Sequence, residues 1–269
     1  MPELPEVETL RRGLMAIVGR RIAAVWVRER RLRRPIARSF ARVLTGRLVT
    51  GVRRRGKYLL FDLDDGSVWL VHFGMSGTLV LVPPETPIRT HTHVVVTLDD
   101  GRTLRFHDPR RFGLMRVGAA EDLAEIGSLG VEPLDPKFSP CFLYRTARRQ
   151  HRAVKSLLMD QRLVAGLGNI YANEILFAAG VRPGRRTSLL SRADAARIVA
   201  ATGGVLAEAI AARGSSISDY RDARGEPGAF QDVFRVYERA GERCGRCGGV
   251  IQRRIIVGRS SFYCPRCQR

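Results

Sequence analysis

Apolar positions near the start of the chain recur at helical spacing and then change to the alternation of strands. Leu10, Leu14 and Ile17 fall on one face of a helix predicted over Val7–Val18. Strand-like runs follow at Ile22–Arg28, Tyr58–Leu63, Val68–Phe73, Leu79–Val82, His93–Leu98 and Leu104–Phe106. Asp64-Asp65-Gly66 and Asp99-Asp100-Gly101 read as the turns of hairpins between them. Many short strands with turn signals at this spacing predict an antiparallel sandwich or barrel.

The pattern changes in the second half. A Pro- and Gly-rich stretch over 127–140 reads as a linker. Helical periodicity then covers Cys141–Ala147, Ala153–Met159, Ile170–Ala179 and Arg192–Ala212. Ser191, ahead of Arg192 and Asp194, has the character of an N-cap. A loop rich in Gly, Ser and Asp spans 214–230 and leads to a compact cysteine-containing end. The expectation is an α+β chain of two main domains.

Charge narrows the class of partner. The chain has 269 residues, with 46 Lys and Arg against 26 Asp and Glu, a formal net charge of +20. Such an excess favours a polyanion, most simply nucleic acid. Lys57, Lys137 and Lys155 are the lysines, and every other basic residue is arginine. A guanidinium stays protonated and is poor at proton transfer, so each lysine stands out as a candidate for chemistry. No run approaches the ~18 apolar residues of a membrane span. Glu3, Glu6 and Glu8 also occupy the place of a signal peptide's basic region. A cytoplasmic, membrane-free protein is therefore expected.

Three motifs carry candidate chemistry. Cys244-x2-Cys247 and Cys264-x2-Cys267 have the spacing of two knuckles closing one structural zinc site, with a hairpin near Val257-Gly258-Arg259-Ser260 between them. The leftover Cys141 is expected to be a buried thiol. Gly51-x4-Gly56-Lys57 imitates a nucleotide-binding loop, but Tyr58 stands where Ser or Thr would hold magnesium, and a strand follows instead of a helix. What remains is Lys57 as an amine beside Arg53–Arg55, a setting that lowers its proton affinity. At the start, removal of Met1 would give Pro2 a secondary amine able to attack an aldehyde-like carbon and form an iminium. Glu3 is placed to act as general acid, and Glu6 to orient or neutralise. His91 and His93 alternate on one strand, a weak pattern for a metal.

The opening string Met1-Pro-Glu-Leu-Pro-Glu-Val-Glu-Thr9 resembles that of the bacterial formamidopyrimidine-DNA glycosylases. So do Arg55-Gly-Lys-Tyr-Leu-Leu60, His72-Phe-Gly-Met-Ser-Gly77, Asp108-Pro-Arg-Arg-Phe-Gly113, Gly166-Leu-Gly-Asn-Ile-Tyr-Ala-Asn-Glu174 and the four-cysteine end, in order along the chain. The resemblance implies an N-terminal catalytic β-sandwich over 1–126 and a linker over 127–140. It further implies a helix–two-turn–helix domain over 141–234, with a lesion-covering loop at 214–230, and a zinc ribbon over 235–269. DNA would lie between the halves.

The same resemblance implies a bifunctional DNA glycosylase and abasic-site lyase that excises oxidised purines, 8-oxoguanine and formamidopyrimidines, from double-stranded DNA, then cleaves the strand by β,δ-elimination. Pro2 would be the Schiff-base nucleophile, Glu3 the proton donor, and Lys57 the proton-transfer lysine. Arg259 would serve δ-elimination, although clamping phosphate suits an arginine better. Met75, Arg110 and Phe112 would fill the duplex after base extrusion. His91, Asn169 and Lys155 would touch DNA, Asn169 from a helix N-terminus. Gln150 stands where a basic contact is usual, so its contact is open to question. Ile217-Ser218-Asp219-Tyr220 resembles the flexible part of the covering loop. One zinc ion and a monomer are expected. Leu4-Pro5 argues against the endonuclease VIII type, which excises oxidised pyrimidines, and a non-catalytic zinc-containing nucleic-acid binder is the reading from a different class.

Overall fold

The structure is a computed structural model that describes residues 2–217 and 220–269. Internal contacts divide it into two units: the chain up to Gly127 together with 212–231, and 128–211 together with 232–269.

The first unit opens with helix α1 (Leu4–Leu14), strand β1 (Ile22–Val27) and a short helix α2 (Phe40–Leu44). Strands β2 (Val49–Arg55), β3 (Tyr58–Leu63), β4 (Val68–His72), β5 (Thr78–Val82), β6 (Thr92–Leu98), β7 (Thr103–His107) and β8 (Leu114–Gly118) follow, then α3 (Ala124–Gly127). They form two antiparallel sheets, in the orders β1-β6-β7-β5 and β2-β3-β4-β8. One apolar core unites both sheets with α1, drawing on Val7, Leu10, Phe61, Trp69, Val94 and Phe106. Phe61 and Trp69 face each other in the β3–β4 register and stack with centroids 4.4 Å apart. The other face of the second sheet is also covered, by Leu123 and Ile126 against Leu60, Leu70 and Leu114. Burial on both faces is why β4 reads as an unbroken apolar run.

The expected helix begins three residues earlier, at Leu4, and ends at Leu14, with Met15–Ile17 continuing as a tighter turn. Strands β2 and β8 and helix α2 were not foreseen. In β2 the arginines conceal the alternation: Val49 and Val52 point inward, while Arg53 pairs with Asp62 of β3 at 2.5 Å.

Segment 212–231 corrects the domain expectation, which placed it with the helices. Tyr220 and Ala223 join the core of the first unit. Leu81 donates its amide hydrogen to the Ala223 carbonyl at 2.9 Å. A Cβ at Gly13 would meet that of Ala223 at 2.7 Å, so only glycine lets α1 come this close.

In the second unit, helices α4 (Pro140–Arg148), α5 (Val154–Leu158), α6 (Asn169–Ala178) and α7 (Arg192–Ala211) precede a hairpin of β9 (Gln252–Ile256) and β10 (Arg259–Tyr263). Helices α4 and α6 pack on α7. Ser191 caps α7 as expected, its hydroxyl accepting from Asp194 N while Asp194 accepts from Ser191 N. The stretch after Gly127 is not a free linker: Gly130 donates to the Gln161 carbonyl and Val131 to that of Leu163, at 2.8 and 3.0 Å. Cys141 is exposed, contrary to expectation, because α4 turns Leu143 and Ala147 inward instead.

Candidate active site and nucleic-acid interface

Helix α1 begins with two buried carboxylates. Glu3 is its N-cap, and the Glu3 amide donates to Glu6 Oε2 at 2.8 Å, a capping-box arrangement with Pro5 in the first turn. Glu6 is 1% exposed, and its Oε1 accepts from Ser215 N at 2.7 Å and from the Ser215 hydroxyl at 3.1 Å. Tyr220 donates its hydroxyl to the Glu6 carbonyl at 3.2 Å. Burial, then the charge of Glu6, raises the Tyr220 phenol well above its ordinary range, so it stays a donor. Glu6 thus joins the turn that carries Pro2 and Glu3 to the start of the expected covering loop. Of that loop, Ser218 and Asp219 lie outside the described residues, as does Met1.

Lys57 sits in the turn between β2 and β3 and is 6% exposed. A relay fixes this turn against α1: Glu8 pairs with Arg54 at 3.4 Å, and Arg54 donates to the Gly56 carbonyl at 3.1 Å. Burial alone would raise the Glu8 carboxyl, but hydrogen bonds from Arg11 and Arg12 and the Arg54 charge hold it below its usual value. Across the β3–β4 ladder, His72 lies opposite Tyr58. Burial, then the charges of Lys57 and Arg33, pull its imidazole down to about 3. Neutral, it accepts from Gly74 N at 3.0 Å through Nδ1, leading directly into Met75.

Met75 and Phe112 are large apolar side chains, each 43% exposed. Arg110 lies 4.8 Å from the centroid of the Phe112 ring. His91 is exposed with φ +65, beside His93 and His107. The ring of His93 is engaged elsewhere, its Nε2 2.8 Å from the Asp108 carbonyl. Among the described residues, the four cysteines are the group of ligating side chains that converges as a metal site would, and the histidines do not.

The second unit presents its candidates differently. Asn169 is the first residue of α6 and Gly168 is the N-cap, with Asn169 Oδ1 buried and without a hydrogen-bond partner. Lys155 was expected to face DNA but is 1% exposed. Its ammonium donates to the Ser260 carbonyl at 2.6 Å and to Ser261 Oγ at 2.8 Å, binding α5 to the hairpin. An amine this buried needs such acceptors, and they turn it inward. Gln150 is half-buried beyond α4, its carbonyl accepting from Thr187. Arg259 is exposed at the start of β10, after the Val257-Gly258 turn whose residues have φ +46 and +70. Arg182, Arg185, Arg254 and Arg269 line a hollow of about 670 Å³ with Tyr263.

Several supporting residues escaped the sequence reading. Gln161 braces the loop before α6, donating to the Met159 and Leu167 carbonyls and accepting from Gly166 N. Asn173 Oδ1 accepts from Phe262 N at 2.8 Å. Glu174 accepts from Arg235 N, Val236 N and Tyr237 N, at 2.8 to 2.9 Å. Burial raises the Glu174 carboxyl above its usual value despite these donors. A carboxylate and an amide amid the apolar run of α6 were the available signal.

The cysteines form one cluster, their sulfurs all within 4.8 Å of one another. Cys244 and Cys267 sulfurs are 3.8 Å apart, and those of Cys247 and Cys264 3.4 Å. A tetrahedral zinc with bonds of about 2.3 Å needs sulfur separations near ~3.8 Å, far beyond a disulfide. Burial and the neighbouring sulfurs push the Cys267 thiol up to about 12, so four thiolates here would need a bound cation to stabilise them.

Three family models match in order along the chain. The formamidopyrimidine-DNA glycosylase N-terminal domain matches residues 1–115, the H2TH domain of the same enzymes 129–221, and the zinc finger found in FPG and IleRS 241–269. The chain belongs to the formamidopyrimidine-DNA glycosylase family. The curated formamidopyrimidine-DNA glycosylases of Thioalkalivibrio sulfidiphilus and Methylococcus capsulatus are 46% and 47% identical to it, over all of both chains. The crystal structure of the MutM (Fpg) protein from Thermus thermophilus superposes with TM-score 0.89 at 40% identity, covering 99% of this chain and 98% of that one. A complex of Lactococcus lactis Fpg with abasic-site DNA gives 0.91 at 33% identity, covering 99% of each. The α+β architecture and the single structural zinc of the family follow for this chain. No helix among the described residues is long and apolar enough to cross a membrane.

Proposed function

We propose that this chain is a bifunctional DNA glycosylase and abasic-site lyase of base excision repair, acting on oxidised purines in duplex DNA. The observation that carries the reading is the turn at the start of α1, where Pro2 precedes two buried glutamates, each side chain accepting from the other's backbone amide, in a member of this family. Homologues bearing the glycosylase name, and a relative in complex with abasic-site DNA, support the substrate class.

In this reading the Pro2 amine attacks C1′ of the damaged nucleotide. The N–C1′ bond forms as the N-glycosidic bond breaks, and the departing base takes its proton from an acid in reach, assigned to Glu3. The nitrogen gives up its proton as the C1′–O4′ bond opens and O4′ is protonated, leaving an iminium at C1′; this withdraws electrons, so C2′ loses a proton and the 3′ phosphate leaves by β-elimination. Lys57, buried in the turn between β2 and β3, moves protons in this step. Arg259 clamps phosphate during δ-elimination, and His91, Arg110 and Asn169 hold the strand. Met75, Arg110 and Phe112 occupy the space vacated by the extruded base. Gln150 is an uncharged neighbour of the strand, and Lys155 acts on DNA through the hairpin it anchors. The catalytic domain then comprises 1–126 and the covering loop 214–230, with the remainder of 141–234 and the zinc ribbon 235–269 gripping DNA. The protein works as a cytoplasmic monomer.

The test compares excision of 8-oxoguanine and thymine glycol from matched duplexes. The proposal expects strong preference for 8-oxoguanine, with Glu3→Gln retaining duplex binding and losing excision. Preference for thymine glycol, or excision unaffected by Glu3→Gln, contradicts it.

A further inference from the structure

Met75 and Phe112 lie 37 positions apart in the numbering, on two separate loops, yet one wedge requires them to keep a fixed spacing. Two buried residues, Asp108 and Ser76, connect the loops. Asp108 is fully buried, and its two carboxylate oxygens point to different partners. Oδ1 accepts from the Ser76 hydroxyl at 2.7 Å, next to Met75. Oδ2 accepts from Gly113 N at 2.7 Å, next to Phe112. Ser76 Oγ in turn accepts from Arg110 N at 3.3 Å. The backbone of Asp108 does the same for a third exposed group: its amide donates to the His91 carbonyl at 3.0 Å, and its own carbonyl accepts from Arg111 N at 3.1 Å.

Close packing reinforces the link. A Cβ on Gly74 would lie 2.4 Å from the Phe112 carbonyl, and one on Gly113 would lie 2.5 Å from the Phe106 ring. The two loops therefore touch through backbone, with Ser76 and Asp108 bonded between them. None of these polar groups reaches solvent in the way the two exposed side chains do.

We propose that Asp108, with Ser76, is a positioning residue that locks the Met75 loop to the Arg110–Phe112 loop so that their exposed side chains act as one rigid wedge. This rests on the reading of Met75 and Phe112 as the side chains that enter the duplex. Freed from each other, the loops would still carry the right residues, but inserting them would cost the ordering that the clamp has already supplied.

The experiment uses the full chain with zinc bound, in four variants: Asp108→Asn, Ser76→Ala, Met75→Ala and Phe112→Ala. Three signals are read: single-turnover excision of 8-oxoguanine, cleavage at a preformed abasic site, and fluorescence of 2-aminopurine opposite the lesion as a report of unstacking. Losing one arm of the buried hydrogen-bonded link is expected to slow excision by about 10- to 100-fold in Asp108→Asn and about 10-fold in Ser76→Ala. Abasic-site cleavage, which has no base to extrude, should change by no more than about threefold, and the 2-aminopurine signal should fall with excision. Ser76→Ala should also cost less in a Met75→Ala background than alone, because both act through one wedge. A residue of purely structural importance would depress all three signals together and show no such coupling.

If Met75→Ala and Phe112→Ala impair excision while folded Asp108→Asn and Ser76→Ala match the parent, the clamp is refuted and the wedge reading stands. If Met75→Ala and Phe112→Ala have no effect, the wedge reading itself fails, and the clamp with it. Should Asp108→Asn not fold, Ser76→Ala decides alone, since it removes one hydroxyl and leaves the carboxylate in place.

Discussion

The first turn of α1 and the zinc hairpin both hold short polar segments in one shape, by different means. Glu3 and Glu6 rest on a large apolar core that runs through both sheets of their unit, so burial supplies the order and the hydrogen bonds direct it. The hairpin has a far smaller apolar cluster, with Phe177, Val236, Ile251 and Phe262 among its members, and two of its cysteines belong to that same cluster. So small a core cannot offset the entropy of ordering the strands, and the metal must supply the difference. The sandwich should therefore tolerate metal loss, and the ribbon should not.

The sharpest way to break this contrast is to remove one zinc ligand. Cys264→Ser should abolish stoichiometric zinc and disorder the hairpin, a site worth on the order of 10 kcal/mol. Both tryptophans, Trp26 and Trp69, lie in the first unit. The denaturation curve followed by their fluorescence should thus stay close to that of the parent, while strand cleavage is lost. A shift of that curve as large as the loss of zinc affinity would show the two units to be energetically inseparable.

Protonation tests the other side with a smaller effect. His72 keeps its imidazole neutral, its value pulled down to about 3 by burial and then by Lys57 and Arg33. The unfolded chain binds that proton from about pH 6.5 downward and the folded one does not, so stability is full above this range and is lost as the pH falls toward 3. Between pH 6.5 and 5 the contribution is about 2 kcal/mol, at about 1.4 kcal/mol per unit. Tryptophan-monitored denaturation at the two values should reveal it, and His72→Gln should flatten the dependence by that amount. An unchanged slope in His72→Gln would remove His72 as its source.

The two regions also differ in how legible they were. Strand β3 was placed residue for residue because its buried faces repeat apolar side chains, whereas β2 was hidden by Arg53–Arg55, of which Arg53 pairs with Asp62 of the next strand and Arg54 with Glu8 of α1. The cysteine spacing revealed the metal site, since a local motif fixes it. Asp108, Gln161 and Glu174 were not assigned roles because each acts by accepting from backbone or hydroxyl groups that only the fold brings near. For the same reason Lys155 was expected at the surface: nothing local announces that Ser260 and Ser261 will receive its ammonium. Segment 212–231 was assigned by sequence neighbourhood, but Tyr220 and Ala223 belong to a core built by the opening helix and the sheets.

In the proposed reaction the secondary amine of Pro2 performs the chemistry. Borohydride trapping on 8-oxoguanine duplex, with the adduct mapped by mass spectrometry, tests it most directly. The account predicts a covalent complex on the peptide that begins at Pro2, with Met1 absent from the trapped protein, and a sharp loss of trapping in Pro2→Gly. An adduct on Lys57 or any other amine, formed equally well by Pro2→Gly, would contradict it.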